Sequence, residues 1–246
     1  MPATLYVVHG SHPCATVARA LDFKAVAYKT VELPVGAHAG VMRVLFGRRT
    51  VPGIRLESGE KLSGSRAILR RLDELVPEPP LLPADPAARA RTLETERWGD
   101  EVLQAATRRI FWPTLLANPS AAPSFSEGAK LPLPAPVLKA AVPVIGRLAL
   151  RLTASSEATR AADLQALPGW LQQIDDRLAD GTLGADPPNA ADLQIAPSLK
   201  LLMAMEDLRA IIAPRPCGAW ADQLFPDGVG HFPAGAIPAS ILPVGV

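Results

Sequence analysis

Four residues near the start of the chain, Ser11-His12-Pro13-Cys14, place a hydroxyl, an imidazole and a thiol where a strand hands over to a helix. Ahead of them Thr4-Leu5-Tyr6-Val7-Val8 is a β-branched and aromatic run that reads as a buried strand. Behind them Cys14 to Leu21 carries alanine, leucine and arginine at helical spacing. Two cysteines spaced Cys-x-x-Cys at such a junction form a redox dithiol. Here Ser11 holds the first position and Cys14 the second, so no internal disulfide can form. What remains is a hydroxyl beside helix N–H groups that carry partial positive charge, suited to stabilising the thiolate of a bound ligand. A free thiol has a pKa of ~8.5 and is mostly protonated at neutral pH, so such help is chemically useful. Ser11 as a plain helix cap is compatible with that role. Cys14 has two readings: a reactive thiol that forms mixed disulfides, or a small inert residue in the first helical turn. His12 reads as a solvent-facing loop residue, and His9, His38 and His231 are not at metal-ligand spacing, so no metal site is expected.

The elements that must hold these groups follow from the pattern. Strand Thr4–Val8, helix Cys14–Leu21, strand Ala27–Glu32, a short helix at His38–Phe46, two strands around the Ser58-Gly59 turn and a helix Ser65–Leu75 give the order βαβ then ββα. Pro77-Glu78-Pro79-Pro80-Leu81-Leu82-Pro83 reads as a stiff linker. Pro86 suits the first position of a helix, and Ala87 to Phe111 follows with only Gly99 as a breaker. Ala117–Pro136 holds five prolines and reads as a loop. Helices are then expected over Val137–Leu152, Glu157–Leu167, Gly169–Leu178 and Ala191–Leu202. Asn189 and Asp192 have the spacing of a capping box before the last of these. The Pro- and Gly-rich stretch from Pro214 to Val246 reads as irregular chain packed over the surface, or as partly disordered.

Composition narrows the class. The chain has 246 residues, 48% hydrophobic but only 5% aromatic, so alanine, leucine and valine must build the core. A net charge of +1 argues against a nucleic-acid surface. Residues 1–78 hold 11 Lys/Arg against 7 Asp/Glu, and the remainder 14 against 17. Cys14 and Cys217 lie in separate regions, which implies no disulfide and a cytoplasmic, reducing location. Met1-Pro2-Ala3 has no basic segment and no long apolar stretch after it, so no signal peptide is expected. Lys139, Pro143 and Arg147 interrupt the most apolar stretch, Leu131 to Leu152, and predict no membrane span.

With Thr50-Val51-Pro52-Gly53-Ile54, then Glu60-Lys61-Leu62 and Ser63-Gly64-Ser65-Arg66-Ala67-Ile68, the first module resembles the thioredoxin-like N-terminal domain of the glutathione S-transferase family. Asn189-Ala190-Ala191-Asp192 resembles the capping box of that family's helical second domain. The resemblance implies an α/β plus all-α architecture: a thioredoxin-like thiol-binding domain over 1–78, a linker over 79–85, an all-helical domain over 86–212 and an irregular tail over 213–246.

It also implies roles. Ser11, or alternatively Cys14, is the catalytic group. A cis Val51–Pro52 bond turns the Val51 backbone toward the peptide part of a thiol ligand, as an added strand would. Ser65, with Arg66 nearby, supplies a carboxylate site at a helix start. Trp98, Arg108 and Trp112 form the wall for the electrophile. The implied activity is transfer of a small thiol, glutathione or another carboxylate-bearing thiol, to a hydrophobic electrophile, the thiol being a co-substrate and no cofactor being needed. A monothiol oxidoreductase using Cys14 and a non-catalytic binding module are the alternatives. Gly64 replaces the Glu or Gln that the family usually has before this serine, so glutathione is expected to bind weakly. The family's subunit arrangement implies a homodimer.

Overall fold

The computed structural model describes residues 2–130, 132–228 and 230–243. Four strands, β1 (Ala3–Val7), β2 (Tyr28–Glu32), β3 (Gly53–Arg55) and β4 (Lys61–Ser63), form one sheet in the order β2-β1-β3-β4. β1 and β2 run parallel with Leu5 opposite Thr30, and β1 and β3 run antiparallel with Leu5 opposite Ile54. β3 and β4 are antiparallel, with Ile54 opposite Leu62. Crossing from β1 to β2 in parallel requires a covering helix, and α1 (His12–Phe23) supplies it. Alternation along β1 buries Ala3, Leu5 and Val7 on one face. There they pack with Val17, Ala20 and Leu21 of α1 and with Ile68, Leu69 and Leu72 of α3 (Ser65–Leu75). The opposite face meets α2 (His38–Phe46) closely. A Cβ on Gly53 would lie 2.7 Å from the Met42 methyl and 2.9 Å from the Phe46 ring, so any larger residue there must push those side chains aside.

Beyond α3 the linker is stapled down from inside. The buried Lys24 ammonium donates to Asp73 at 2.9 Å and to the carbonyls of Val76 and Pro79, while Leu81 and Leu82 sink into the first core. The second domain is helical: α4 (Pro86–Trp98), a π-helical turn over Gly99–Leu103, α5 (Gln104–Ala117), α6 (Ala135–Leu152), α7 (Glu157–Ala179), α8 (Ala190–Met203), α9 (Glu206–Ile212) and α10 (Pro216–Leu224). Gly99 does not break the first of these. Its missing side chain lets the π turn press on α8, where a Cβ would lie 2.8 Å from Ile195. α8 is the buried axis of the domain and begins with the capping box. Asn189 Oδ1 accepts from Ala191 N–H at 2.8 Å, and Asp192 accepts from Asn189 N–H at 2.7 Å.

Two expectations are corrected. Glu157–Leu167 and Gly169–Leu178 are one helix, because Leu164, Leu167, Leu171 and Ile174 form a single buried stripe through Pro168. That packing outweighs the backbone hydrogen bond that proline cannot make. The stretch 213–246, in its described residues 213–228 and 230–243, is not an irregular surface tail, since 216–224 is α10, with Pro216 in its first turn and Cys217 and Ala221 buried on one face; residues 229 and 244–246 lie outside the described residues. Farther on, Phe232 is fully buried against Phe111 and Phe125, and its N–H donates to the Ala204 carbonyl at 2.8 Å. Among the described residues no helix is long and apolar enough to cross a membrane.

Candidate functional site

The turn between β1 and α1 lines a cavity of about 330 Å³. Ser11, His12 and Cys14 form one side, Thr30 and Glu32 of β2 another, and Pro197, Lys200 and Leu201 of α8 a third. The chain between α5 and α6 closes over it. Lys130 donates from its N–H to Glu32 and from its ammonium to the Thr30 carbonyl, both at 3.2 Å. Ser11 occupies the N-cap position of α1 in an extended conformation, and its carbonyl accepts from Cys14 N–H at 2.9 Å. Its hydroxyl makes no capping bond to the helix backbone and lies beside the Cys14 thiol. Cys14 is 5% exposed, and burial pushes its thiol up to about 11 despite opposing contacts from Ser11 and the Val8 backbone. At neutral pH it is a protonated thiol, which corrects the reading of Cys14 as a reactive nucleophile.

The remaining expected residues do not line this cavity. The Val51–Pro52 bond is cis, and the Pro52 carbonyl accepts from Gly64 N–H at 3.0 Å. Val51 packs against the first core. Gly64 has φ +94°, a conformation in which Glu or Gln would be strained, so the missing side chain has a backbone cause. Ser65 is buried, and its hydroxyl donates to Gln194 Oε1 of α8 at 3.0 Å. Arg66 lies 3.3 Å from Glu101, 3.6 Å from Asp100 and 3.9 Å from Glu96. The pair expected to receive a ligand carboxylate is thus engaged by the second domain, because α3 faces its acidic π turn. Trp98 and Trp112 are half-buried against the helical core, and Trp112 meets Phe111 edge-on at 5.3 Å. Neither lines the cavity beside Ser11.

Between the domains runs a polar seam that the sequence reading missed. Gln194 Nε2 donates to Gln104 Oε1 at 3.1 Å, and Gln104 Nε2 donates to Asp100 at 2.9 Å. One turn along α8 from Gln194, Ser198 Oγ is hydrogen bonded to His12 Nδ1 at 3.1 Å. His12 is therefore not a solvent-facing loop residue. It is 6% exposed, held in the first turn of α1 against α8, and its Nε2 has no partner among the described residues. Burial, and then the charge of Arg108, hold its pKa well below the usual histidine value, so it is neutral. One turn along α5 from Gln104 stands Arg108 itself, mostly buried. The signal was present in the sequence as Asp100, Gln104 and Arg108, and Gln194 and Ser198, polar residues four apart and so on one face of their helices. Among the described residues no group of three or more His, Cys, Asp or Glu could hold a metal ion.

Residues 5–80 match the family described as glutathione S-transferase, N-terminal domain. No curated protein matches the chain. The fold is similar to that of the β-etherase LigF from Sphingobium sp. strain SYK-6, with TM-score 0.67 and 18% identity over 91% of this chain and 95% of that one. It is similar also to a glutathione S-transferase from Methylobacterium radiotolerans in complex with glutathione sulfonate (TM-score 0.64, 19% identity, 95% of this chain and 97% of that one). A glutathione S-transferase from Rhodospirillum rubrum F11 aligns with TM-score 0.59 and 17% identity over 95% of this chain and 97% of that one. At these identities the likeness is one of fold.

Proposed function

We propose that this chain, whose residues 5–80 match the glutathione S-transferase N-terminal domain, transfers a small thiol to a hydrophobic electrophile. In this reading the Ser11 hydroxyl donates a hydrogen bond to the thiolate of the bound co-substrate at the start of α1. The sulfur then attacks the electrophile, a carbon–sulfur bond forms as the bond from that carbon to its leaving group breaks, the leaving group departs with that electron pair, and the thiol's proton passes to water. The observation that carries the reading is the Ser11 hydroxyl itself, which stands at the cavity and makes no cap bond. The buried, protonated Cys14 favours transfer over disulfide exchange. Both cysteines are free and buried, which fits a reducing compartment. The methylobacterial relative's complex with glutathione sulfonate supports a glutathione-like thiol. Gly64, and the engagement of Ser65 and Arg66 by the second domain, support weak rather than tight binding of glutathione itself.

Replacing Ser11 by alanine tests the mechanism. Loss of a hydrogen bond to a charged sulfur, worth about 1.5–3 kcal/mol, lowers kcat/KM roughly tenfold or more. It also moves the basic shift of the kcat/KM–pH profile upward, because the thiolate has lost a donor. Unchanged activity towards several electrophiles would falsify the role of the hydroxyl. The reading includes a homodimer, the commonest closed assembly. Sedimentation as a clean monomer at high concentration removes that part.

A further inference from the structure

Arg108 and Arg109 are adjacent and differ sharply in their surroundings. Arg109 grips Asp163 with two hydrogen bonds, at 2.6 and 2.8 Å. Arg108 makes no hydrogen bond and no ion pair among the described residues, and its Nε is buried without a partner. Asp100 is the acid whose charge reaches it, yet Asp100 lies beyond ion-pair distance and already holds Gln104 and faces Arg66. A guanidinium whose Nε is shut off from water and left without a counter-ion is unfavourable, and an anionic partner relieves that cost.

The register of the helices places this charge. Gln104 meets Gln194 across the seam, so Arg108, one turn along α5, comes level with Ser198 and its partner His12. His12 directly follows Ser11. In the tautomer in which the Ser198 hydroxyl donates to Nδ1, the one an anion selects, the neutral ring carries its proton on the unpartnered Nε2, a second donor beside the arginine. Two unsatisfied donors, one of them charged, thus stand together behind the Ser11 turn.

We propose that Arg108 and His12 form an oxyanion subsite between the two domains, which receives a carboxylate carried by the electrophile. This rests on the transferase reading of Ser11 and names its substrate class: apolar electrophiles that bear an acid group. The chemistry is unchanged by the anion. For an aryl chloride, the carbon–sulfur bond forms, the carbon–chlorine bond breaks, chloride leaves with the electron pair and the thiol proton goes to water.

The test compares 4-chloro-3-nitrobenzoate with its methyl ester, using glutathione or L-cysteine as the thiol. The readout is the acid-to-ester ratio of kcat/KM. In Arg108→Met this ratio falls tenfold or more, and Arg108→Lys restores part of it. An unchanged ratio overturns the proposal. Calorimetry with 3-nitrobenzoate and its methyl ester, which cannot react, separates the subsite from the transferase reading. Selective loss of the acid's binding in Arg108→Met, in a protein that turns over no electrophile, upholds the subsite and defeats the transferase. If the substitution weakens glutathione but not 3-nitrobenzoate, the anion belongs to the thiol and the proposal fails. Should Arg108→Met lose its circular-dichroism signature, Arg108→Lys and Arg108→Gln carry the same comparison.

Discussion

Buried polar residues of this protein fall into two groups, those whose partners are all supplied by the chain and those left short. Asp192 belongs to the first. Its carboxylate accepts from Asn189 N–H and from Gly184 N–H, both at 2.7 Å, and it holds the start of α8. Burial still pushes its pKa up, to about 6, against the lowering effect of those bonds. The folded state therefore holds this proton more tightly than the unfolded chain does. Its contribution to stability is complete below the unfolded value of ~3.9 and fades as pH rises to about 6 and beyond. The expected loss is on the order of 3 kcal/mol between pH 4 and 7. Urea unfolding across that range reads it as the difference from Asp192→Asn, which cannot ionise. Parallel curves for the two proteins would sink the assignment. Arg108 and His12 belong to the second group, and a buried donor short of partners is where a ligand has something to satisfy.

At the scale of elements, local signals and tertiary packing disagree at a few identifiable places. α2 and α3 have the bounds that spacing predicts, since their ends coincide with turn residues: Gly47 at φ +71° after α2, and Gly64 before α3. α7 defied its sequence. Pro168-Gly169 is a strong breaker pair, yet the stripe from Leu164 to Ile174 packs so continuously that the helix runs through it. Gly99 was legible as an anomaly but not as a device. Only the approach of Ile195 explains why a side chain is forbidden there, and why the helix widens to a π turn where Asp100 and Gln104 enter the seam.

The whole molecule depends on segments distant in sequence closing on each other. Phe232 sits in a strand-like bridge with Met205 and plugs a cluster of Phe111 and Phe125. Asp207 accepts from the N–H groups of Gly235 and Ile237 at 2.6 and 2.9 Å and pins the chain that follows. The C-terminal stretch is thus part of the helical core. Phe232→Ala is expected to destabilise the protein by about 3–5 kcal/mol, through lost burial and the cavity left behind. Its denaturant midpoint should fall accordingly. A midpoint within error of the wild type would mean that the stretch is not integral to the fold.

The alternation and turn chemistry of residues 1–75 sufficed for the sheet order and its covering helices, because each of those choices is made within a few residues of the chain. Asn189 and Asp192 likewise announced their cap, a contact across three positions. Ser11 was legible as a hydroxyl at a helix start for the same reason. The partners of Ser65, Arg66, His12 and Arg108 were not. Ser65 meets Gln194 across 129 residues, and His12 meets Ser198 across 186. Whether a polar side chain reaches solvent, a ligand or the other domain depends on how α3, α5 and α8 lie against one another. That arrangement follows from side-chain volumes such as those of Ile195 and Gly99 summed over the whole interface, which no local pattern encodes.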